Sequence, residues 1–228
     1  MLAHVLREVI KQGGVKPELV EDIMIGNVLQ PGAGAVTSRM ATFLAGIPHT
    51  TSLQTVNRQC SSGLQAIAHI SHAIKAGSIN IGIAGGVENM SMFSFNDAVK
   101  PDCLSEDIFE NEDARNCLMG MGVTSDNVAK EFGVSRQDQD AFAAKSQAKA
   151  VAAQESGDLQ SEISPMTVKI TDENGNEKTV VADKDEGVRK GTTAEKLGKL
   201  KPAFGADGTT TAGNASQVTD GAAAVLLA

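Results

Sequence analysis

The sequence predicts an α/β protein, a parallel sheet with helices on its faces. Three observations lead there. Between Ile23 and Gly86 the apolar pattern alternates strand, helix, strand, helix, strand, the rhythm of βαβ units. The 228 residues include 23 glycines and are 41% hydrophobic, a folded rather than a disordered composition. The length is enough to bury a sizeable core, in one large domain or two small ones.

Taken in order, Leu2, Val5, Leu6, Val9 and Ile10 form an amphipathic helical pattern that opens at Met1 without a cap and ends at Gly13-Gly14. Lys16 to Glu21 reads as a short helical connection, and Ile23 to Val28 as a strand. Pro31-Gly32-Ala33-Gly34 leads into a helix from about Val36 to Ala45, stopped by Gly46 and Pro48. Leu53 to Val56 is a second strand. Leu64, Ile67, Ala68 and Ile74 then fall on one helical face until Gly77, and Ile79 to Ala84 is a third strand ending at Gly85-Gly86.

From about Met92 the rhythm is lost. Phe93 to Arg115 is polar, acidic and weakly patterned. Val123 to Phe132 and Asp138 to Gln154 read as helices, the second opened by a capping arrangement of Ser135 with Asp138, and their alternating charges read as a solvated face. Glu162 to Val168 and Thr179 to Ala182 form a hairpin through Asn174-Gly175, and Ala222 to Leu227 is the last strand. The domains expected are therefore a core of residues 1–92 and 217–228 and an inserted α+β domain of residues 93–216.

Composition removes several classes of function. A net charge of −8 argues against a general nucleic-acid or anionic-membrane partner, although single basic residues can still build a local phosphate site. Tyr and Trp are absent, so base-stacking platforms are not expected. Cys60, Cys103 and Cys117 have no metal-ligand spacing and make an odd count, which fits free thiols in a reducing compartment and no metal site. No apolar run approaches membrane-spanning length, and no signal-peptide pattern opens the chain. Leu226-Leu227-Ala228 is no peroxisomal tripeptide, but both ends look cut, so a missing address says little.

Cys60 is the residue to follow. It lies between the strand ending at Val56 and the helix carrying Leu64, flanked by Asn57-Arg58-Gln59 and Ser61-Ser62-Gly63. The first turn of a helix leaves N–H groups unpaired and carries the positive end of the macrodipole, so a thiolate there is stabilised and gains nucleophilicity. The other reading is a small buried hydrophobe, which most free cysteines are.

The segment Val56-Asn57-Arg58-Gln59-Cys60-Ser61-Ser62-Gly63-Leu64-Gln65-Ala66 resembles the nucleophile segment of thiolases, in particular the peroxisomal-type 3-ketoacyl-CoA thiolases. Three more stretches resemble the family in the same order. They are Gly26-Asn27-Val28-Leu29-Gln30-Pro31-Gly32-Ala33-Gly34, Gly85-Gly86-Val87-Glu88-Asn89-Met90-Ser91, and Thr211-Ala212-Gly213-Asn214-Ala215-Ser216 with Asp220-Gly221-Ala222-Ala223-Ala224. The resemblance implies one βαβαβαββ half of the thiolase fold with its inserted, coenzyme A-binding loop domain. The family's C-terminal half is absent from these residues. Met1 falls inside the family's first helix, so the first, central strand looks missing, which would leave buried backbone groups unpaired at on the order of 1–3 kcal/mol each.

The resemblance makes Cys60 the acyl-accepting nucleophile of a β-oxidation thiolase that cleaves a 3-ketoacyl-CoA with coenzyme A as substrate, without metal or cofactor. Arg189 resembles the basic residue beside the adenine and phosphate end of coenzyme A. Phe204, Ala212 and Ser216 match positions along the pantetheine arm, and Met121 matches one near the thioester. Gly120 stands where some thiolases have a histidine, which bears on acyl-chain preference. The family's Gly-His-Pro, Asn-Glu-Ala-Phe and Cys-x-Gly-x-Gly strings do not occur; His4, His49, His69 and His72 match no catalytic position, and little turnover is expected of these 228 residues alone. A homodimer through the layer bearing the Cys60 loop and a peroxisomal location are implied, with mitochondrion or cytoplasm as alternatives. A non-catalytic coenzyme A-binding module and an acetoacetyl-CoA thiolase stay open; a ketoacyl-ACP synthase fits less well, because Arg189 and Ser216 suit coenzyme A.

Overall fold

The first helix, α1 (Leu2–Gly13), turns Leu2, Leu6 and Ile10 inward at i, i+4 spacing. It stops where Gly14 takes a left-handed φ of 62° and its N–H bonds back to the last carbonyls. A 3₁₀ turn at Pro17–Leu19 leads to β1 (Asp22–Gly26), and another at Pro31–Gly34 to α2 (Ala35–Leu44). Then follow β2 (Ser52–Val56), α3 (Ser62–Lys75) and β3 (Gly82–Glu88). In this computed structural model, which describes residues 1–95, 99, 101–172 and 175–228, these elements and β6 (Gly221–Leu227) form one compact unit, Met1–Pro101 with Val218–Ala228.

The sheet runs β2-β1-β3-β6, the first three parallel and β6 antiparallel to β3. Alternation along the strands sorts two cores. Ile23, Ile25 and Ile83 join Leu2, Leu6 and Ile10 of α1 on one face, while Met24 and Ala84 meet Ala66 and Ile70 of α3 on the other. Each fully buried Ile or Leu contributes about 1.5–3 kcal/mol.

Three expectations change here. Among the described residues no row of unpaired backbone opens in the sheet, because β1 pairs directly with β3 from Asp22↔Gly82 to Gly26↔Gly86. The third strand runs three or four residues later than Ile79 to Ala84, since Asn80 is taken out of extended pairing by the Glu21 carboxylate, which accepts its backbone and side-chain N–H groups. The fully buried side chains of α3 are Ser62, Ala66 and Ile70; Ile67 and Ile74 pack partly against the same core as expected, but Leu64 is 71% exposed. The reason is volume. A Cβ on Gly26 would lie 2.6 Å from the Ser62 carbonyl carbon, so the start of α3 sits against β1 with only small residues between.

The second unit is Asp102–Gln217. It holds α4 (Asp107–Glu110), α5 (Glu112–Asn116), α6 (Met121–Phe132), α7 (Arg136–Ser156), the antiparallel hairpin β4 (Met166–Thr171) and β5 (Glu177–Ala182), and α8 (Ala194–Gly198). The Ser135 cap is made, its hydroxyl accepting the Asp138 N–H at 3.1 Å. Asn174 of the hairpin turn lies outside the described residues, while Gly175 has φ 83°. The face read as solvated is not wholly so, because Asp140 of α7 is 2% exposed. Among the described residues no helix is long and apolar enough to cross a membrane.

Candidate active site

Cys60 is exposed in the turn between β2 and α3, so the buried-hydrophobe reading falls. The turn is tied to the helix it precedes. Ser62, buried at the start of α3, accepts the Arg58 N–H at 2.8 Å and donates to the Gln59 carbonyl at 2.6 Å. Ser61 Oγ donates to the Arg58 carbonyl at 2.8 Å, and the Arg58 guanidinium reaches Gln65 on the next turn. Gln59 is held at φ 50°, in the left-handed region that costs an L residue roughly 1–2 kcal/mol. The thiol therefore stands on a braced, strained turn at the positive end of a 14-residue helix. His69 and His72 lie on the exposed side of α3, and Cys103 and Cys117 are exposed rather than built into a core.

The remaining candidates lie in the second unit. Arg189 and Ala212 line one open cleft of about 270 Å³, with Gln147, Thr192, Leu197 and Leu200. A second cleft of about 290 Å³ lies over Ala148, Val151 and Ala152 of α7, and Arg189 and Thr192 belong to both. The Arg189 loop is stitched to α7: Gln147 Oε1 accepts the Arg189 N–H at 2.9 Å, Gln154 donates to the Asp185 carbonyl at 3.1 Å, and Lys190 pairs with Glu155 at 2.6 Å. The hydrogen bond and charge of Glu155 raise the Lys190 ammonium above its ordinary range. Phe204 covers Gly122, where a Cβ would stand 2.1 Å from its ring; Gly122 follows Met121 at the start of α6. Ser216 is exposed and does not line the clefts, although its neighbours Ala215 and Gln217 do. Arg189 and Ala212 thus share a cleft, Phe204 packs on the residue that follows Met121, and Ser216 is not among the residues lining either cleft.

The thiolase N-terminal domain model matches residues 1–228. The chain belongs to the thiolase family. It is 55% identical over 228 residues to the peroxisomal 3-ketoacyl-CoA thiolase B of Rattus norvegicus and 53% identical to the peroxisomal enzyme of Homo sapiens, covering all of this chain and 53% of each relative. The crystal structure of the dimeric peroxisomal thiolase of Saccharomyces cerevisiae superposes with a TM-score of 0.86 at 44% identity, over 100% of this chain and 57% of that one. The acetyl-CoA acetyltransferase of Bacillus anthracis gives 0.81 at 38% identity, over 98% and 57%. The chain thus spans about half the length of the relatives it matches, and the α/β architecture is that of the thiolase fold.

Several residues that build this thiolase chain were not singled out from sequence. Asp140 accepts from Arg136 Nε at 2.8 Å and from Asn214 Nδ2 at 3.0 Å, while Arg136 also caps the Leu197 and Leu200 carbonyls at 2.7 and 3.0 Å. Asn214 Oδ1 accepts the Thr211 N–H at 2.7 Å, and Asp126 accepts those of Thr209 and Thr210. These bonds shape the Thr209–Asn214 loop that carries Ala212. The i, i+4 spacing of Arg136 and Asp140 was the available signal, but it reads the same for an exposed pair. Asn27, from the first glycine-rich motif, is 1% exposed and ties the end of β1 to Val87 at 2.6 Å.

Proposed function

We propose that the protein carrying these residues is a 3-ketoacyl-CoA thiolase of fatty-acid β-oxidation, with Cys60 as its nucleophile. The Cys60 thiolate adds to the C3 carbonyl of a 3-ketoacyl-CoA, and the C2–C3 bond breaks. Acetyl-CoA departs as its enolate and takes a proton at C2, leaving the shortened acyl group as a thioester on Cys60. The thiol of coenzyme A then attacks that thioester, releasing the shortened acyl-CoA and returning the Cys60 thiol. The N–H groups at the start of α3 favour the oxyanions that develop on the way. The chemistry calls for no metal or cofactor. Arg189 meets the phosphate end of coenzyme A, Ala212 and Phe204 flank its apolar arm, Ser216 offers a hydroxyl to its amides, and Met121 lies toward the thioester.

The observation that carries this reading is the exposed Cys60 on its braced turn, in a chain 53–55% identical over all its residues to peroxisomal 3-ketoacyl-CoA thiolases. A peroxisomal homodimer is the matching setting, with acyl-CoA and coenzyme A as small-molecule partners. The test is mass spectrometry of the Cys60 peptide after brief exposure to a 3-ketoacyl-CoA, with thiolysis followed in parallel. An acyl adduct confined to Cys60, and activity lowered at least about a thousandfold in Cys60→Ala, are expected. Arg189→Ala is expected to raise the KM for coenzyme A about tenfold with little change in kcat. An adduct on another residue overturns the assignment. Turnover of acetoacetyl-CoA alone would move the protein to the acetoacetyl-CoA thiolase alternative.

A further inference from the structure

The bonds inside the Cys60 turn account for only part of what holds Gln59 at φ 50°. The rest arrives from a distance. Asn57 Oδ1 accepts the Gln59 N–H at 3.0 Å, and Asn57 Nδ2 donates to the Val28 carbonyl at 3.2 Å. Val28 is held in its turn, its N–H donating to Glu88 Oε1 at 2.5 Å. An unbroken path therefore runs from the Glu88 carboxylate at the end of β3, through Val28 and Asn57, to the residue before Cys60. A carboxylate makes a stronger acceptor than an amide would. It is also costly here, since Glu88 Oε2 is buried without a hydrogen-bond partner among the described residues, as is Asn89 Oδ1 of the next residue.

Building on the reading of Cys60 as the acyl-accepting thiol, we infer that Glu88 is a positioning residue: through Val28 and Asn57 it keeps Gln59 left-handed and so fixes the place of the Cys60 thiol. Nothing in this role requires Glu88 to touch the substrate. It requires only that the turn relax when the path is cut. A glycine at position 59 enters the left-handed region without the penalty of a side chain, so it should make the path dispensable.

The experiment compares the wild-type protein with Glu88→Ala, Glu88→Gln and Asn57→Ala, each with and without Gln59→Gly. Two rates are read by peptide mass spectrometry: iodoacetamide alkylation of Cys60 relative to Cys103 and Cys117, and single-turnover acetylation of Cys60 by acetyl-CoA. Wild type is expected to alkylate first at Cys60. Glu88→Ala and Asn57→Ala are expected to lower both Cys60 rates about tenfold, the worth of one strong hydrogen bond, with Cys103 and Cys117 unchanged. Glu88→Gln keeps the acceptor and should retain most of both rates, and Gln59→Gly should restore the two alanine variants. Recovery by glycine is what a general loss of stability would not give. Full rates in Glu88→Ala, or no recovery in its Gln59→Gly partner, overturn the role of Glu88. Preferential alkylation of wild-type Cys60 without acetylation overturns the acyl-transfer reading instead, and the alkylation series then decides Glu88 by itself.

Discussion

The two units of this chain are held together by different chemistry. The first packs Leu6, Ile23, Ile25, Ile70 and Ile83, all fully buried, on both faces of a sheet. In the second, the buried residues among those described are Ala129, Leu197, Asp140, Thr210 and Thr211, and side chains that fix its loops include Arg136, Asp126, Gln147 and Asn214. A non-directional core tolerates substitutions that keep volume. A polar network does not, because every member lost leaves another buried group unpaired. The unit carrying the candidate thiol thus rests chiefly on hydrophobic burial, with Asn27, Thr42, Thr51 and Ser62 as buried, hydrogen-bonded additions. The unit carrying the candidate coenzyme A residues rests chiefly on directional bonds.

The largest effect that would test this contrast comes from Asp140→Ala. Its side chain is 3% exposed and that of Arg136 20%, so removing the carboxylate strands a charge and one Asn214 N–H together. A loss of about 3–5 kcal/mol is expected, with faster amide exchange across Thr209–Asn214. Replacing both charges by apolar residues should not rescue it, because Arg136 also satisfies the Leu197 and Leu200 carbonyls. In the first unit Ile70→Ala is expected to cost about 2–5 kcal/mol, while Ile70→Leu stays below about 1.5 kcal/mol. Urea unfolding followed by far-UV circular dichroism reads all of these in a chain without Trp or Tyr. An apolar pair at 136 and 140 that restores full stability would erase the distinction.

A smaller effect depends on pH. The Asp126 carboxyl is held below the usual aspartate range, chiefly by the Thr210 N–H at 2.9 Å and also by the Thr209 N–H at 3.0 Å. A group whose folded pKa is depressed contributes stability that is full above its unfolded pKa and is lost as pH falls through the folded one. The second unit should therefore loosen below about pH 4. Asp126→Asn should flatten that part of the pH profile while lowering stability near neutrality, because the amide is a weaker acceptor. Glu21 of the first unit, lowered mainly by the Asn80 N–H, adds its own acid dependence, so the comparison is read as variant against wild type and not from one curve.

This contrast also explains what the sequence could reveal. Period-two and period-3.6 patterns report apolar burial, so α1, β1, β2 and the last strand were legible to within a few residues, and Cys60 could be placed between a strand and a helix. The resemblance to thiolases then supplied residues no pattern carried, Arg189 and Ala212 among them, which the fold brings to one cleft. The bonds of Asp140, Asn214 and Asp126 could not be read in advance. Those from Asp140 to Asn214 and from Asp126 to Thr209 and Thr210 join residues 74 to 84 positions apart. Even for the short-range ones, a polar side chain carries no periodic mark that separates a buried acceptor from a solvated one. The same limit hid Glu88, whose partner Val28 is sixty positions away.

Leu64 marks where apolar periodicity itself misleads, and it offers the smallest effect of the series. Counting apolar residues puts Leu64 on the inner face of α3 with Ile67 and Ile74. The helix turns Ser62, Ala66 and Ile70 most fully to the sheet, keeps Ile67 and Ile74 partly buried against the same core, and leaves Leu64 71% exposed. What decides the rotation is how closely the backbone approaches. With 2.6–2.8 Å between a Cβ on Gly26 and the backbone of Ser62 and Gly63, only small side chains fit beneath the first turn, and a leucine there would force α3 away from β1. Leu64→Gln should therefore change stability by no more than about 0.5 kcal/mol, against the several kcal/mol of Ile70→Ala two turns along the same helix. A loss of core size at Leu64 would mean that something covers that face in the folded protein, and the contrast between the two units would then have to include the contact that does so.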